Sequence, residues 1–213
     1  MTSPTLVQAR FRSGLELHKK GRLAEAASLY REILATNADH TDALHWLGVI
    51  AYQSGDLATA VDLISRALAI NPRSALAHSN LGNVLSVLGR LDESLSSYEA
   101  AIALQPDDAA SYNNRGNVLH NLRRFDEALD SFAIAIALRP DYPDAYSNRG
   151  AVFCDLERFD EALASCDQAI ALRPDFADAH HNRSMALRKL GRFPEALASS
   201  DRAIARRPDD AAG

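Results

Sequence analysis

Four asparagines stand 34 residues apart, at Asn80, Asn114, Asn148 and Asn182, and two more, Asn83 and Asn117, follow the first two at a distance of three residues. A primary amide offers one acceptor and two donors, so it can satisfy both polar groups of a peptide unit without reading any side chain. Repeated at a fixed rise, such a column would hold an extended polypeptide backbone, and its indifference to sequence suits long or disordered segments. On a helix Asn83 and Asn117 lie about one turn further on and extend the same polar lining.

Residues with other chemistry do not converge. His45, His120 and His181 are placed to share the face of the asparagines, but they fall in different parts of the chain and have no metal-ligand spacing. His78 and His180 occupy the column that holds Tyr112 and Tyr146, which makes them packing residues with a polar edge. Cys154 and Cys166, twelve residues apart, form neither a metal motif nor a disulfide framework. The acidic pairs Asp92/Glu93, Asp126/Glu127 and Asp160/Glu161 recur as helix-opening residues that complement the helix dipole, and not as an acid and a base of unlike roles. Arg115, Arg149 and Arg183 replace Leu47 and Leu81 of earlier copies; their stems are expected to bury at a helix seam and their heads to pair with Asp130, Asp167 or Asp201. The expectation is therefore a chain that is not an enzyme, with no catalytic residue, no metal site and no cofactor.

The asparagine interval is the period of the whole chain, which repeats every 34 residues from Val7 to Asp210 without insertion or deletion. One column of small residues reads Gly14, Gly48, Gly82, Gly116, Gly150 and Ser184, a second Ala26, Ala60, Ser94, Ala128, Ala162 and Ala196, and a third Ile33, Ala67, Ala101, Ala135, Ala169 and Ala203. Small side chains on two successive helical segments let their backbones approach closely. Pro72, Pro106, Pro140, Pro174 and Pro208 each follow an apolar run and end its helix, and Asp141, Asp175 and Asp209 behind three of them suit the cap of the next one.

These columns resemble the tetratricopeptide repeat (TPR). The best-formed copies read Ala-Tyr-Ser-Asn-Arg-Gly over 145–150 and Arg-Phe-Asp-Glu-Ala-Leu over 158–163. The resemblance implies an all-α fold, an α-α superhelix of six helix-turn-helix units spanning 7–40, 41–74, 75–108, 109–142, 143–176 and 177–210, after a tail over 1–6. The first copy is the most divergent, with Ser13 and Ala38 where Leu and Pro stand elsewhere. In a TPR stack the first helices line a concave wall, which puts Asn80, Asn83, Asn114, Asn117, Asn148 and Asn182, with His45 and His181, in a peptide-binding groove.

The asparagine column also resembles that of the TPR half of O-linked N-acetylglucosamine transferases and their bacterial SPINDLY-like relatives, where it grips the substrate polypeptide. A carboxylate-clamp TPR is a poorer match: Asn83 and Asn114 stand at its amide positions, but Ser79, Asp144 and Asn148 replace its cations.

The net charge of −5 and pI near 5.8 exclude a phosphate-backbone partner, so no nucleic acid is expected. No apolar run is long enough to cross a membrane and residues 1–8 lack a secretion-signal pattern, so a cytoplasmic chain with no membrane partner is expected. The ending over 211–213 carries no capping helix, which suggests either a fragment of a larger protein or self-association through an uncapped sixth repeat. The functional expectation is a scaffold that binds a protein or peptide; the alternatives are the substrate-recruiting part of a larger glycosyltransferase and a self-associating scaffold.

Overall fold

The computed structural model describes the backbone of residues 4–206 and the side chains of residues 6–204. Within that range the chain is twelve α-helices and no strand. The expectations for Pro208, Asp209 and the 211–213 ending lie outside the described residues.

The helices fall into two compact units divided after Pro106. The first holds α1 (Pro4–Lys19), α2 (Leu23–Thr36), α3 (Thr41–Gln53), α4 (Leu57–Ile70), α5 (Ala75–Val87) and α6 (Leu91–Leu104). The second holds α7 (Ala109–Asn121), α8 (Phe125–Leu138), α9 (Pro143–Asp155), α10 (Phe159–Leu172), α11 (Ala177–Lys189) and α12 (Phe193–Arg206). Within each unit every odd-numbered helix pairs with the helix after it, and each even-numbered helix also packs on the next odd-numbered one.

The glycine column closes each pair. A Cβ added at Gly14, Gly82 or Gly116 would lie 2.6 Å from Tyr30 Cε1, 2.9 Å from Tyr98 Cε1 or 2.7 Å from Phe132 Cε1, and at Gly48 or Gly150 it would meet Ile64 Cγ1 or Cys166 Sγ at 2.7 Å. The glycine is the slot into which the second helix inserts one large side chain, and Tyr30, Tyr98 and Phe132 are at most 2% exposed there. Burying such a side chain contributes about 1.5–3 kcal/mol. Where a member of the small columns is serine, it bonds across the seam: Ser94 Oγ donates to the Gly82 carbonyl at 2.7 Å, and Ser184 Oγ to the Ala196 carbonyl at 3.0 Å.

The residue before each proline lies outside the helical region, as proline requires, and Asn37 before Ala38 adopts the same extended conformation without one. Asn71, Gln105, Arg139 and Arg173 have φ between −125° and −138° with ψ of 82–92°, and each second helix ends there. Asp141 and Asp175 do not cap the next helices: α9 and α11 start after Tyr142 and Phe176, with no side-chain cap bond. The residues that do cap are His40, Ser74 and Asp108, which stand directly before their helices. An Asp one place earlier is beyond reach of the first free N–H groups.

Second helices are clipped at their start by pairs that residue type alone did not suggest. Arg22, Arg90, Arg124, Arg158 and Arg192 each stand directly before the first helical residue and grip the glutamate three residues on, Glu25, Glu93, Glu127, Glu161 and Glu195. The guanidinium holds each of these carboxyls below its usual range. In repeat two Asp56 caps instead, accepting from the Thr59 N–H at 3.1 Å.

Candidate peptide-binding face

Asn80 lies on α5, Asn114 on α7, Asn148 on α9 and Asn182 on α11, all half-buried, each followed by Leu81 or an arginine and then by the small residue that closes the seam. The hydrogen bonds of three of them follow one rule. Asn80 Nδ2 donates to His45 Nε2 at 2.8 Å, Asn148 Nδ2 to Asn113 Oδ1 at 3.0 Å, and Asn182 Nδ2 to the Ser147 carbonyl at 3.2 Å. Each partner sits 35 residues earlier, at the place just before the asparagine column of the preceding repeat. Asn113 also donates to Asn114 Oδ1 at 3.2 Å, so Asn114, Asn113 and Asn148 form a continuous amide chain from α7 to α9.

One amide N–H therefore fixes Asn80 and Asn148 to the neighbouring repeat, which orients the side chain and leaves the carbonyl oxygen and the second N–H for another molecule, while Asn182 Nδ2 also reaches Ser147 Oγ at 3.4 Å and keeps its carbonyl oxygen. The three-residue companions differ. Asn83 Oδ1 accepts from the buried Tyr98 hydroxyl at 2.6 Å, which ties it to the closure of its own repeat. Asn117 is half-buried and bonds to no described side chain.

The two histidines share the receiving column. His45 is only 5% exposed and its Nε2 is committed to Asn80; burial lowers its pKa, opposed by the Asp42 charge, which keeps the ring neutral and able to accept. His181 holds the same place in repeat six but is exposed, on a wall shared with Ser184, Met185, Arg188, Phe193 and Leu197. His120 instead meets Asp155 at 2.7 Å. His78 and His180 each reach back to the carbonyl of the proline that ended the preceding helix, Pro72 at 3.0 Å and Pro174 at 2.8 Å. In repeats one and two the asparagine column reads Arg12 and Trp46; Trp46 packs against the rings of His18 and His45, and Arg12 borders a cavity of about 660 Å³ with Val7, Phe11, Leu15 and Asp42.

The arginine column corrects an expectation. Arg183 does pair with Asp167, Nε to Oδ1 at 2.6 Å, but Asp130 and Asp201 make no ion pair among the described residues. The common partner is a serine sixteen residues on: Arg115 Nη1 donates to Ser131 Oγ at 2.7 Å, Arg149 Nε to Ser165 Oγ at 3.2 Å and Arg183 Nη1 to Ser199 Oγ at 2.7 Å. The sequence signals this only in part: that column reads Leu63 in repeat two and serine at 97, 131, 165 and 199, so each arginine faces a serine, but Ser97 stands sixteen residues after Leu81.

Cys154 and Cys166 are free, and burial pushes their thiols up to about 11 and about 12, so neither supplies a nucleophile at neutral pH. No group of three or more His, Cys, Asp or Glu side chains that could hold a metal occurs among the described residues. None of the described helices is long and apolar enough to cross a membrane.

Helix pairs closed on a glycine, stacked through small residues and ended by proline define a helical-repeat protein. The chain belongs to the tetratricopeptide repeat family: family models described as tetratricopeptide repeat match residues 11–75, 79–143, 143–176 and 165–198. Among solved structures it is similar to PilW, a type IV pilus biogenesis factor, at 18% identity and TM-score 0.87, covering 97% of this chain and 96% of that one. It is also similar to YrrB, a TPR protein with an unusual peptide-binding site, at 22% identity and TM-score 0.68, covering 86% of this chain and 94% of that one. A third, MamA, is 22% identical with TM-score 0.69, covering 82% of this chain and 95% of that one. No curated protein matches the sequence. Nothing in these matches supports the narrower resemblance to O-linked N-acetylglucosamine transferases.

Proposed function

We propose that this chain is a non-catalytic protein-interaction module that holds an extended polypeptide backbone against the first helices of its second unit, with Asn114, Asn148 and Asn182 as the gripping column, and that Asn80 offers the same amide within the first unit. The observation that carries this reading is the half-spent state of the amides. Among the described residues Asn80 and Asn148 each spend one amide donor and keep an acceptor and a donor open, as a peptide unit requires, whereas Asn182 gives its Nδ2 to both the carbonyl and the hydroxyl of Ser147 and keeps its acceptor. Asn117 and exposed His181 border that surface; in the first unit His45 and Asn83 are committed to Asn80 and Tyr98. Likeness in fold to a TPR protein with a peptide-binding site agrees with this reading.

The test is to select a binder from a random-peptide library and measure its affinity for Asn148→Ala and Asn182→Ala by fluorescence anisotropy. Each substitution should weaken binding about two- to tenfold, the loss expected for one net hydrogen bond, while scrambling the peptide side chains changes it less. Unchanged affinity in both variants would remove the asparagines from the site.

A second surface is favoured by a specific contrast. Leu163 on α10 is 8% exposed beneath the next repeat, but its counterpart Leu197 on α12 is 65% exposed and lies beside Phe193 at 64%. With Met185, Arg188 and Ala196 they line a cavity of about 400 Å³. We read this face as a seat for one further helix, and self-association of the chain is one way to fill it. Light scattering should show concentration-dependent dimers that Leu197→Glu abolishes; a monomer at all concentrations would refute self-association through this face.

A further inference from the structure

The outer side of α8 differs from that of its counterparts at two adjacent positions. Repeat five has Asp167 and Gln168 there and repeat six Asp201 and Arg202, whereas repeat four has Ala133 and Ile134, both exposed, Ile134 at 41%. One turn on, Ala137 and Leu138 are also exposed, Leu138 at 41%, as are their counterparts Ala171 and Leu172 on α10, so on α8 Ala133 and Ile134 lengthen an apolar strip that α10 confines to its last turn.

The first of those positions has a partner. Asp167 on α10 takes the Nε–H of Arg183 at 2.6 Å, which leaves the Arg183 Nη1 for Ser199. Arg149 on α9 is the same residue one repeat earlier, and the place from which a carboxylate would reach it holds Ala133. The guanidinium has turned in response: its Nε, not its Nη1, now bonds the serine, at 3.2 Å to Ser165, and the Tyr146 ring lies 5.3 Å from its Cζ. Arg149 makes no ion pair among the described residues, so most of its five N–H donors are unused. The site is half-buried, and burial lowers the arginine's pKa, which no nearby carboxylate offsets. A desolvated guanidinium binds a carboxylate more strongly than an exposed one does.

We propose that Arg149 and the strip Ala133, Ile134, Ala137 and Leu138 form a further docking surface, separate from the asparagine column and from the Leu197 face, for a polypeptide segment that presents an Asp or Glu side chain flanked by apolar ones. The incoming carboxylate takes the place that Asp167 fills for Arg183, and its apolar neighbours cover Ile134 and Leu138. Charge complementarity selects an acidic segment, and the apolar strip separates it from a free anion.

The probes are acetyl-Leu-Glu-Ile-Leu-amide, its Gln counterpart, and acetate, titrated into isotope-labelled protein while the arginine side-chain N–H resonances are followed. The Glu peptide should move the Arg149 signals, and the Gln peptide should bind about tenfold more weakly or less, the loss expected on removing a charge-assisted hydrogen bond. Ala133→Asp, which restores the internal partner at an exposed position, should weaken the Glu peptide by a similar factor, and Ile134→Arg should weaken it without moving the free-state Arg149 signals. Equal response to both peptides, undiminished binding by Ala133→Asp, or no response at all would overturn the proposal. Acetate acting as strongly as the peptide would overturn the docking surface and leave only an anion site.

Discussion

Repeat two and repeat five place different chemistry on the same backbone. In repeat two the residue before the closing glycine is Leu47 and it meets Leu63 sixteen positions on, both under 10% exposed. In repeat five the corresponding residues are Arg149 and Ser165, joined by a 3.2 Å hydrogen bond. The closing glycine and the residue it accommodates do the same job in both: a Cβ would meet Ile64 or Cys166 at 2.7 Å. The helix seam thus has a part set by close approach, where glycine or serine meets one inserted side chain that ranges from Tyr to Cys, and a part beside it where an apolar pair and an arginine-serine pair are interchangeable, because the arginine stem packs as hydrocarbon and the serine satisfies its head. Once arginine occupies that second part, a repeat acquires a cation that its neighbours can neutralise or leave open.

If closure is set by close approach, its disruption is the largest effect available. Phe132→Ala should cost about 3–5 kcal/mol, since it empties a fully buried aromatic site, and Gly116→Ala about 1–3 kcal/mol by overpacking the same slot; urea unfolding measures both. The interchangeable part behaves differently. Arg149→Leu alone recreates the Leu81 and Ser97 combination of repeat three, where the serine donates to the Glu93 carbonyl at 2.9 Å, so Ser165 can turn to its own helix and the cost should be about 0.5–1.5 kcal/mol, one net hydrogen bond. Adding Ser165→Leu, which recreates the apolar pair of repeat two, should return stability to near that of the parent. A double variant as unstable as the sum of its parts would show that the two repeats are not equivalent.

Smaller differences sharpen the contrast between repeats. The helix-joining turn uses Gly21, Gly55, Gly89 and Gly191 at φ of 71–83°, but in repeats four and five Arg123 and Glu157 adopt φ of 62° and 58°. Arg123→Gly and Glu157→Gly should each raise stability by about 1 kcal/mol by relieving a left-handed conformation, whereas Gly89→Ala should lower it by a similar amount. The smallest effect concerns pH. His45 has a folded-state pKa below its ordinary 6.5 because it is buried, so the folded state prefers the neutral ring. Its contribution is present above pH 6.5 and is lost as pH falls from there through the lowered folded-state value, when the ring gains a proton and can no longer accept from Asn80. The urea midpoint should fall between about pH 7.5 and about pH 5.5, and His45→Gln should flatten that fall.

The period, the small-residue columns and the prolines make the repeat architecture legible, because each is a backbone constraint written in residue size or in the lack of a donor. Side-chain pairing is less legible. The asparagine bonds run between residues 35 apart, one off the period, so aligned columns hide them. An acidic partner is the obvious complement of Arg149 by charge, yet the neighbouring helix supplies a hydroxyl. Asp141 and Asp175 have the residue type of a cap, but helix starts one position later put Tyr142 and Phe176 in that role.

The central claim, that the asparagine column grips a polypeptide backbone, is tested most directly by the side-chain amide resonances of Asn80, Asn114, Asn148 and Asn182 in the presence of a selected peptide. The account predicts that the signals of Asn114, Asn148 and Asn182, which share one unit, shift together and saturate at one affinity, while that of Asn83, bound to Tyr98, moves least. Shifts elsewhere in the protein that saturate while all four asparagine signals stay in place would contradict it and move the binding site to another face.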